Sequence, residues 1–191
     1  MFEFETFLGV IFINQSVEIK MLHDSCDIPR AELEKIAALV NRVYRETEKG
    51  LWKPGAARTD LEEIKQFASS GELAVARING EIVGCVRIQK LDDYTGEFGM
   101  LAVDEKHQGN GIGRALIQFA EEKCKSENLQ KMQLELLVPQ EGSHPFKTIL
   151  EKWYTRIGYD PVHTETVESL FPDLAPQLAI PCQFIIFQKE L

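Results

Sequence analysis

The chain has 191 residues and a formal net charge of −9, with 44% apolar and 27% charged residues. This length is enough for one well-buried domain, and the composition is that of an ordinary globular protein. The acidity argues against a nucleic-acid-binding protein, which would normally carry a basic surface. It is somewhat more compatible with a cationic small substrate, which an acidic surface would attract.

The N-terminal segment 2–13 is apolar, but it contains Glu3 and Glu5 and has no basic region before its apolar residues. We therefore expect neither a signal peptide nor a membrane span, and we predict a cytoplasmic protein with no membrane partner. Residues 1–16 are a possible extension of a single domain over 1–191. They could form an added edge strand, an arm onto the partner subunit of a homodimer, or a frayed tail.

The cysteines are too far apart to form a C-x-x-C pair, and no histidine lies at a ligand spacing from them. They are Cys26, Cys85, Cys124 and Cys182. We predict reduced thiols and no metal site.

The first third of the chain predicts one strand and two helices. Alternating apolar and polar residues predict a strand over 17–22, and apolar residues at helical spacing predict a helix that opens at Pro29. Thr59 and Glu62 have the spacing of a capping box, so we expect a shorter second helix to begin there.

Three strands are predicted next. Residues 72–78 and 81–90 are joined by Asn79-Gly80, a strong signal for a two-residue hairpin. After a further turn, the apolar run 97–103 favours a third strand.

A glycine-rich turn follows this strand and leads directly into a helix with one apolar face. Gly109, Gly111 and Gly113 remove side chains where backbone N–H groups would approach a ligand. The first N–H groups of a helix have no intrahelical partner, and the helix dipole favours an anion beside them. The turn therefore predicts a phosphate site. A Walker loop would need Lys and then Ser or Thr after Gly113, but Arg114 and Ala115 follow it. The dinucleotide fingerprint would need its last glycine at Arg114 or at Leu116, so it is excluded as well.

The remaining residues predict two strands around a helix, then an irregular segment and a closing strand. The strands cover 132–138 and 159–164, and the helix between them ends at Gly158. Residues 165–182 contain three prolines and look irregular, and residues 183–189 form an apolar final strand.

The strand ending Leu101-Ala102-Val103-Asp104, followed by Gln108-x-x-Gly111-x-Gly113, closely resembles the acyl-coenzyme A signature of the GNAT superfamily of N-acetyltransferases. The predicted order of elements agrees with that family from about residue 17 to 191. The resemblance implies an α/β (α+β) fold with a mixed central sheet of about six or seven strands and about four flanking helices. The fourth and fifth strands of that sheet are expected to splay apart.

The resemblance implies acetyl-coenzyme A as the cosubstrate, with no metal. The residues implied to hold its pyrophosphate are Gln108, Gly109, Asn110, Gly111, Ile112, Gly113 and Arg114. The residues whose backbone is implied to pair with its pantetheine arm are Leu101, Ala102 and Val103. The alternative is that the glycines only allow strand and helix to pack closely.

Tyr154 matches the tyrosine that many members of the family use as general acid. It lies one residue after Trp153 and four before Gly158. Lys147 and Leu150 stand where family sequences often have asparagine and alanine, which changes the contacts this helix can offer the coenzyme. The alternative role of Tyr154 is packing, with its hydroxyl in water.

Glu97, four residues before Leu101, matches a glutamate that acts as general base in the histone-acetylating branch of the family. Strand alternation predicts that Glu97, Gly99, Leu101 and Val103 share one face, so that the carboxylate points into the cleft. A partly buried carboxylate would have a raised pKa, as a base requires. The alternatives are an exposed charge at the strand end, or Glu135 as the base.

Trp52, Arg58 and Phe171 are the candidate residues for binding the acceptor. The resemblance implies that the segment of Trp52 and Arg58 lines the acceptor side, and we expect the segment 165–182 with Phe171 to form another wall of that pocket. Packing for Trp52 and solvation for Arg58 are the other interpretations. The function we expect is acetyl transfer from acetyl-coenzyme A to a primary amine of a small molecule or peptide by direct attack. A non-catalytic acyl-coenzyme A sensor, or an enzyme for protein N-termini or lysines, is the alternative.

Overall fold

A computed structural model describes residues 17–22 and 28–191. The expected N-terminal extension and Cys26 lie outside the described residues. The strands are β1 (Glu18–Met21), β2 (Leu73–Ile78), β3 (Glu81–Lys90), β4 (Thr95–Val103), β5 (Lys131–Pro139), β6 (Asp160–Thr166) and β7 (Cys182–Glu190). The helices are α1 (Arg30–Thr47), α2 (Leu61–Ser69), α3 (Ile112–Ser126), α4 (Pro145–Arg156) and α5 (Val167–Leu170). Short 3-10 helices cover Glu105–His107 and Ala175–Gln177.

The strands form one sheet in the order β1-β2-β3-β4-β5-β7-β6. All neighbours are antiparallel except β4 and β5, which are parallel. These two strands pair only where Thr95–Glu97 meets Lys131–Gln133, and beyond that point they diverge. The expected mixed sheet with a splayed central pair is confirmed.

Apolar side chains cover both faces of the sheet. On one face α3 contributes Ile112, Leu116 and Ile117 to a core that also contains Tyr154 of α4. On the other face α1 and α2 pack against Val75, Cys85 and Ala102, among other residues. A third cluster joins the ends of β5 and β7 to α5 and to the loop after α1. No helix among residues 17–22 and 28–191 is long and apolar enough to cross a membrane.

The predicted hairpin is present, but the capping-box prediction is wrong. Asn79 and Gly80 have φ angles of 52° and 83°, as the turn between β2 and β3 requires. At the start of α2, Asp60 is the N-cap, and its side chain accepts a hydrogen bond from the Glu63 N–H. The cap therefore lies one residue later than Thr59. An aspartate is as good an N-cap as a threonine, so local composition did not distinguish the two.

A β-bulge in β4 overturns the prediction that Glu97, Gly99, Leu101 and Val103 share one face. Cys85 pairs with Ala102, and the next pair is Arg87 with Gly99, so two residues of β3 are matched by three residues of β4. Met100 lies in this interval and has a φ of 49°. Leu101 and Val103 therefore pack on the α3 face. Glu97 pairs with Gln89 and lies on the α1 face, because a bulge inserts one extra residue and reverses the alternation.

Candidate active site

The divergence of β4 and β5 opens a cavity of about 910 Å³. Its walls come from both strands, the C-terminal half of α1, the N-terminus of α3, α4 and the 170–177 segment. One end of the cavity is the glycine turn, and it also contains Glu97 and Glu135. A cavity of this size is typical of a small-molecule or cofactor site.

The glycine turn presents an open helix N-terminus to this cavity. Gly109 and Gly111 have φ angles of +79° and +81°, a conformation that side-chain-bearing residues rarely adopt. Gly111 precedes α3 and provides no side-chain cap, and the first N–H to bond back along the chain is that of Ala115. The preceding N–H groups are available to an anion.

Most of the residues implied to bind the coenzyme line the cavity. These are Leu101, Val103, Gln108, Gly109, Gly111, Ile112, Gly113 and Arg114. Gln108 ties the turn to the end of β4, because its amide donates a hydrogen bond to the Val103 carbonyl at 3.3 Å. Ala102 and Asn110 are not in the cavity wall, and the Ala102 side chain is buried in the core under α1.

Tyr154 lies in the cavity wall within a group of aromatic rings. Its ring centroid is 5.2 Å from that of Trp153 and 6.1 Å from those of Phe98 and Phe187. Burial raises the pKa of Tyr154, so the hydroxyl keeps its proton. The hydroxyl makes no hydrogen bond to any residue in the described part of the chain, and it can therefore donate to a ligand.

Two carboxylates face the cavity from the neighbouring strands. Glu97 is only 7% exposed and accepts a hydrogen bond from Gln89 Nε2 at 2.8 Å. Burial raises the pKa of Glu97. Burial, together with the charge of Glu97, raises the pKa of Glu135 to about 7. Arg58 and Arg87 oppose that increase. A carboxyl group with a pKa near neutrality can accept and release a proton under ordinary conditions.

The three candidate acceptor residues also line the cavity. Arg58 lies over the Tyr44 ring, 5.3 Å from its centroid. Phe171 packs against Phe184 with 5.3 Å between ring centroids. Trp52 donates its indole N–H to Glu48.

A buried ion pair in this wall was missed from sequence. Lys147 Nζ bonds Glu48 Oε1, and both residues are at most 5% exposed. Tyr44 also lines the cavity, and burial raises its pKa. Extending the helical period of α1 by one residue past Thr47 could have shown Glu48 on the buried stripe, four residues after Tyr44. It could also have shown Lys147 on the Tyr154 face of α4.

The sequence matches a family model described as acetyltransferase (GNAT) family over residues 36–148. Comparison with curated proteins gives no significant match.

Solved structures share the fold at low sequence identity. A GNAT family acetyltransferase from Elizabethkingia anophelis with acetyl-CoA bound has a TM-score of 0.60 and 23% identity, covering 92% of this chain and 98% of that one. A ribosomal-protein-alanine N-acetyltransferase from Brucella melitensis has a TM-score of 0.64 and 16% identity, covering 91% and 99%. Ard1 from Thermoplasma volcanium has a TM-score of 0.62 and 15% identity, covering 92% and 97%.

Proposed function

The chain belongs to the acetyltransferase (GNAT) family, and on that premise we propose that it transfers an acetyl group from acetyl-coenzyme A to a primary amine. The observation that carries the proposal is the single cavity that joins an open helix N-terminus to two carboxylates and a tyrosine. The helix N-terminus suits a pyrophosphate. The carboxylates and the tyrosine suit proton transfer at an amine and at a thiolate.

The coenzyme is proposed to lie in the gap between β4 and β5. The N–H groups of the Gly109–Arg114 turn would hold its pyrophosphate. The part of β4 after Glu97 is paired with β3 but not with β5, and its free edge would pair with the pantetheine arm. The acetyl-CoA in the Elizabethkingia anophelis structure supports this choice of donor. Arg114 adds a positive charge beside the phosphates.

The acetyl group is proposed to pass directly to the amine. The three cysteines in the described residues, Cys85, Cys124 and Cys182, are buried and do not line the cavity. Burial raises the pKa of the Cys85 thiol to about 12, and a protonated thiol is a poor nucleophile. A carboxylate of the Glu97–Glu135 pair would take the amine proton, and the Tyr154 hydroxyl would donate to the leaving sulfur.

A non-catalytic acyl-coenzyme A sensor is the second candidate, and the Lys147–Glu48 pair favours it. Lys147 stands where the family often has an asparagine, and its ammonium group already donates a hydrogen bond to Glu48 instead of facing a ligand. Thiol release from acetyl-coenzyme A across a panel of small primary amines and lysine-containing or N-terminal peptides distinguishes the two. Turnover with any amine supports the enzyme, and coenzyme binding without turnover across the panel supports the sensor.

The acceptor is proposed to be a small-molecule or peptide amine that occupies the wall formed by Trp52, Arg58 and Phe171. The Brucella melitensis neighbour is named for a protein acceptor, which is why peptides belong in the panel. A preference for one class would appear as a higher kcat/KM, because specificity is a ratio of these values.

A further inference from the structure

Glu97 and Glu135 lie on one face of the sheet, next to each other across the point where β4 and β5 separate. Glu97 is opposite Gln133 in the parallel register, and Glu135 lies two residues further along β5. Side chains two residues apart in a strand share a face, so all three point to the same side. Both carboxylates line the cavity, but their hydrogen bonding is different.

A chain of hydrogen bonds reaches Glu97 from β3. Arg87 Nε donates to Glu72, and Arg87 Nη2 donates to Gln89 Oε1 at 2.6 Å. A guanidinium group only donates, so the oxygen of the Gln89 amide must face Arg87. The amide nitrogen of Gln89 is therefore directed at Glu97, to which it donates at 2.8 Å.

On the same face of the sheet, a second hydrogen bond lies on the β5 side of Glu97. Gln188 Nε2 on β7 donates to Gln133 Oε1 at 2.9 Å. This bond occupies the Gln133 oxygen and leaves its nitrogen to donate. Burial raises the pKa of Glu97, and hydrogen bonding from the Gln89 and Gln133 side chains and the charge of Arg87 oppose that increase. Glu97 thus accepts a hydrogen bond from Gln89 and lies beside Gln133, its partner in the register of β5.

Glu135 has no comparable partners. Its carboxylate makes no hydrogen bond or ion pair with any residue in 17–22 or 28–191. The charged groups that face it are Glu97 on β4, Arg87 on β3 and Arg58 in the loop before α2. Arg87 is already engaged by Glu72 and Gln89, whereas Arg58 lies over the Tyr44 ring.

From this asymmetry we infer that Glu135 is the residue that takes the proton from the acceptor amine, and that Glu97 is a fixed anion that positions and tunes it. A carboxylate that accepts a hydrogen bond from a fixed donor, as Glu97 does from Gln89, is stabilised as the anion and is a weaker base than one without a donor. A carboxylate without donors keeps its lone pairs free for a proton, and the neighbouring negative charge makes it more basic. Glu97 is then a positioning residue.

The inference rests on the proposed acetyl transfer, and the step balances as follows. The amine lone pair forms the C–N bond at the thioester carbonyl, and the amine N–H proton passes to Glu135. The C–S electron pair leaves on sulfur, which takes the Tyr154 proton. Solvent then carries the proton from Glu135 back to Tyr154.

The first test needs neither substrate nor turnover. Protein labelled with ¹³C at the glutamate carboxyls is titrated by NMR, with the two resonances assigned by Glu97→Gln and Glu135→Gln. We expect Glu135 to titrate near about 7 and above Glu97. Glu97→Gln should lower the Glu135 midpoint, because it removes a neighbouring negative charge. A Glu97 midpoint above that of Glu135, or a Glu135 midpoint unchanged by Glu97→Gln, overturns the assignment.

The second test compares pH–rate profiles with acetyl-coenzyme A and the alkyl amine that gives the fastest turnover in the panel. Glu135→Gln should lower kcat/KM at neutral pH by about 10²–10⁴ and remove the acidic limb. Glu97→Gln should keep that limb and move it to lower pH. The matched control is Glu122→Gln, an exposed carboxylate on α3 outside the cavity, whose profile should superimpose on the wild type.

The two tests separate the inference from the proposed function. If no amine in the panel is acetylated, the proposed function fails and the NMR titration still decides which carboxyl is the more basic. If turnover occurs and Glu97→Gln is the variant that loses the acidic limb, the proposed function stands and the role of Glu135 is refuted.

Discussion

Gly111 lies where the backbone turns from the loop into α3, and two separate properties of glycine are relevant there. Its φ of +81° is in the left-handed region, where a side chain is strained. A Cβ at this position would meet no protein atom within 4 Å, so the space beside it is open. In the proposed complex, that open space is where the pyrophosphate approaches the N–H groups.

Gly111→Leu is expected to weaken binding of coenzyme A by at least about tenfold, or about 1.4 kcal/mol. Gly142→Leu is the matched control, because Gly142 has a φ of +76°, equally open surroundings and no place in the cavity wall. Both variants should lose about 1–2 kcal/mol of unfolding free energy through backbone strain. Calorimetry that shows the same coenzyme affinity for both variants would remove the turn from the binding site.

Tyr154→Phe keeps the aromatic ring and removes the only hydroxyl proposed to reach the leaving sulfur. Turnover should fall by about 10²–10⁴, while the coenzyme Kd stays within about threefold. Tyr159→Phe is the control, since Tyr159 belongs to the same aromatic group but donates its hydroxyl to Glu121, away from the cavity. It should lose about 1–3 kcal/mol of stability and keep its turnover. Equal turnover in the two variants would make Tyr154 a packing residue.

At the scale of elements, the Glu48–Lys147 pair joins the end of α1 to α4 across the cavity wall. Glu48 accepts from both Lys147 and Trp52, so one carboxylate links two helices and the loop between α1 and α2. That loop also holds the 170–177 segment, because the Lys53 N–H donates to the Gln177 carbonyl at 2.8 Å. The Glu48–Lys147 pair is therefore one of the contacts that hold the acceptor wall together.

Lys147→Met should destabilise the protein by about 3–5 kcal/mol, because it leaves the Glu48 carboxylate buried without a cation. The double variant Glu48→Gln/Lys147→Met buries no charge and keeps an acceptor for Trp52, so its unfolding free energy should be closer to the wild type. Lys90→Met, which breaks a largely exposed pair with Asp93, should change stability by less than about 1 kcal/mol. Denaturant unfolding measures the unfolding free energy of each variant. A double variant less stable than Lys147→Met would contradict this account of the pair.

At the scale of the whole molecule, Glu135 links stability to pH. Its pKa is about 7 in the folded protein and 4.5 as the ordinary value. Between these values the folded state binds a proton that the unfolded state has released, so this residue makes the fold less stable as pH rises. The loss of stability caused by Glu135 is complete above about pH 7 and absent below pH 4.5.

The unfolding free energy of the wild type, relative to Glu135→Gln, should therefore increase as pH falls from about 7 to 4.5. Glutamine has no ionisable group, so the stability of the variant depends on pH only through the other residues. The variant therefore serves as the reference. Urea unfolding at closely spaced pH values measures the difference. Parallel curves across this window would show that Glu135 has an ordinary pKa.

The sequence alone was sufficient for features whose cause is local. Asn79-Gly80 forms the expected hairpin because few residues adopt its positive φ angles, and the glycine turn before α3 follows from the same property. The strands and long helices follow the periodicity of their apolar residues. The splayed β4 and β5 were expected from the resemblance that the turn revealed, and the sheet register confirms them.

Only the tertiary structure decided which side chains meet in the cavity. The bulge at Met100 places Glu97 on the opposite face from Leu101, and period-two reasoning cannot detect one inserted residue. Glu48 and Lys147 are 99 residues apart in sequence, and nothing in the sequence around either residue predicts that they pair. The Gln89–Glu97 and Gln188–Gln133 hydrogen bonds lie side by side only because four neighbouring strands share one register. Such contacts depend on packing between distant segments, and the sequence around each residue does not determine that packing.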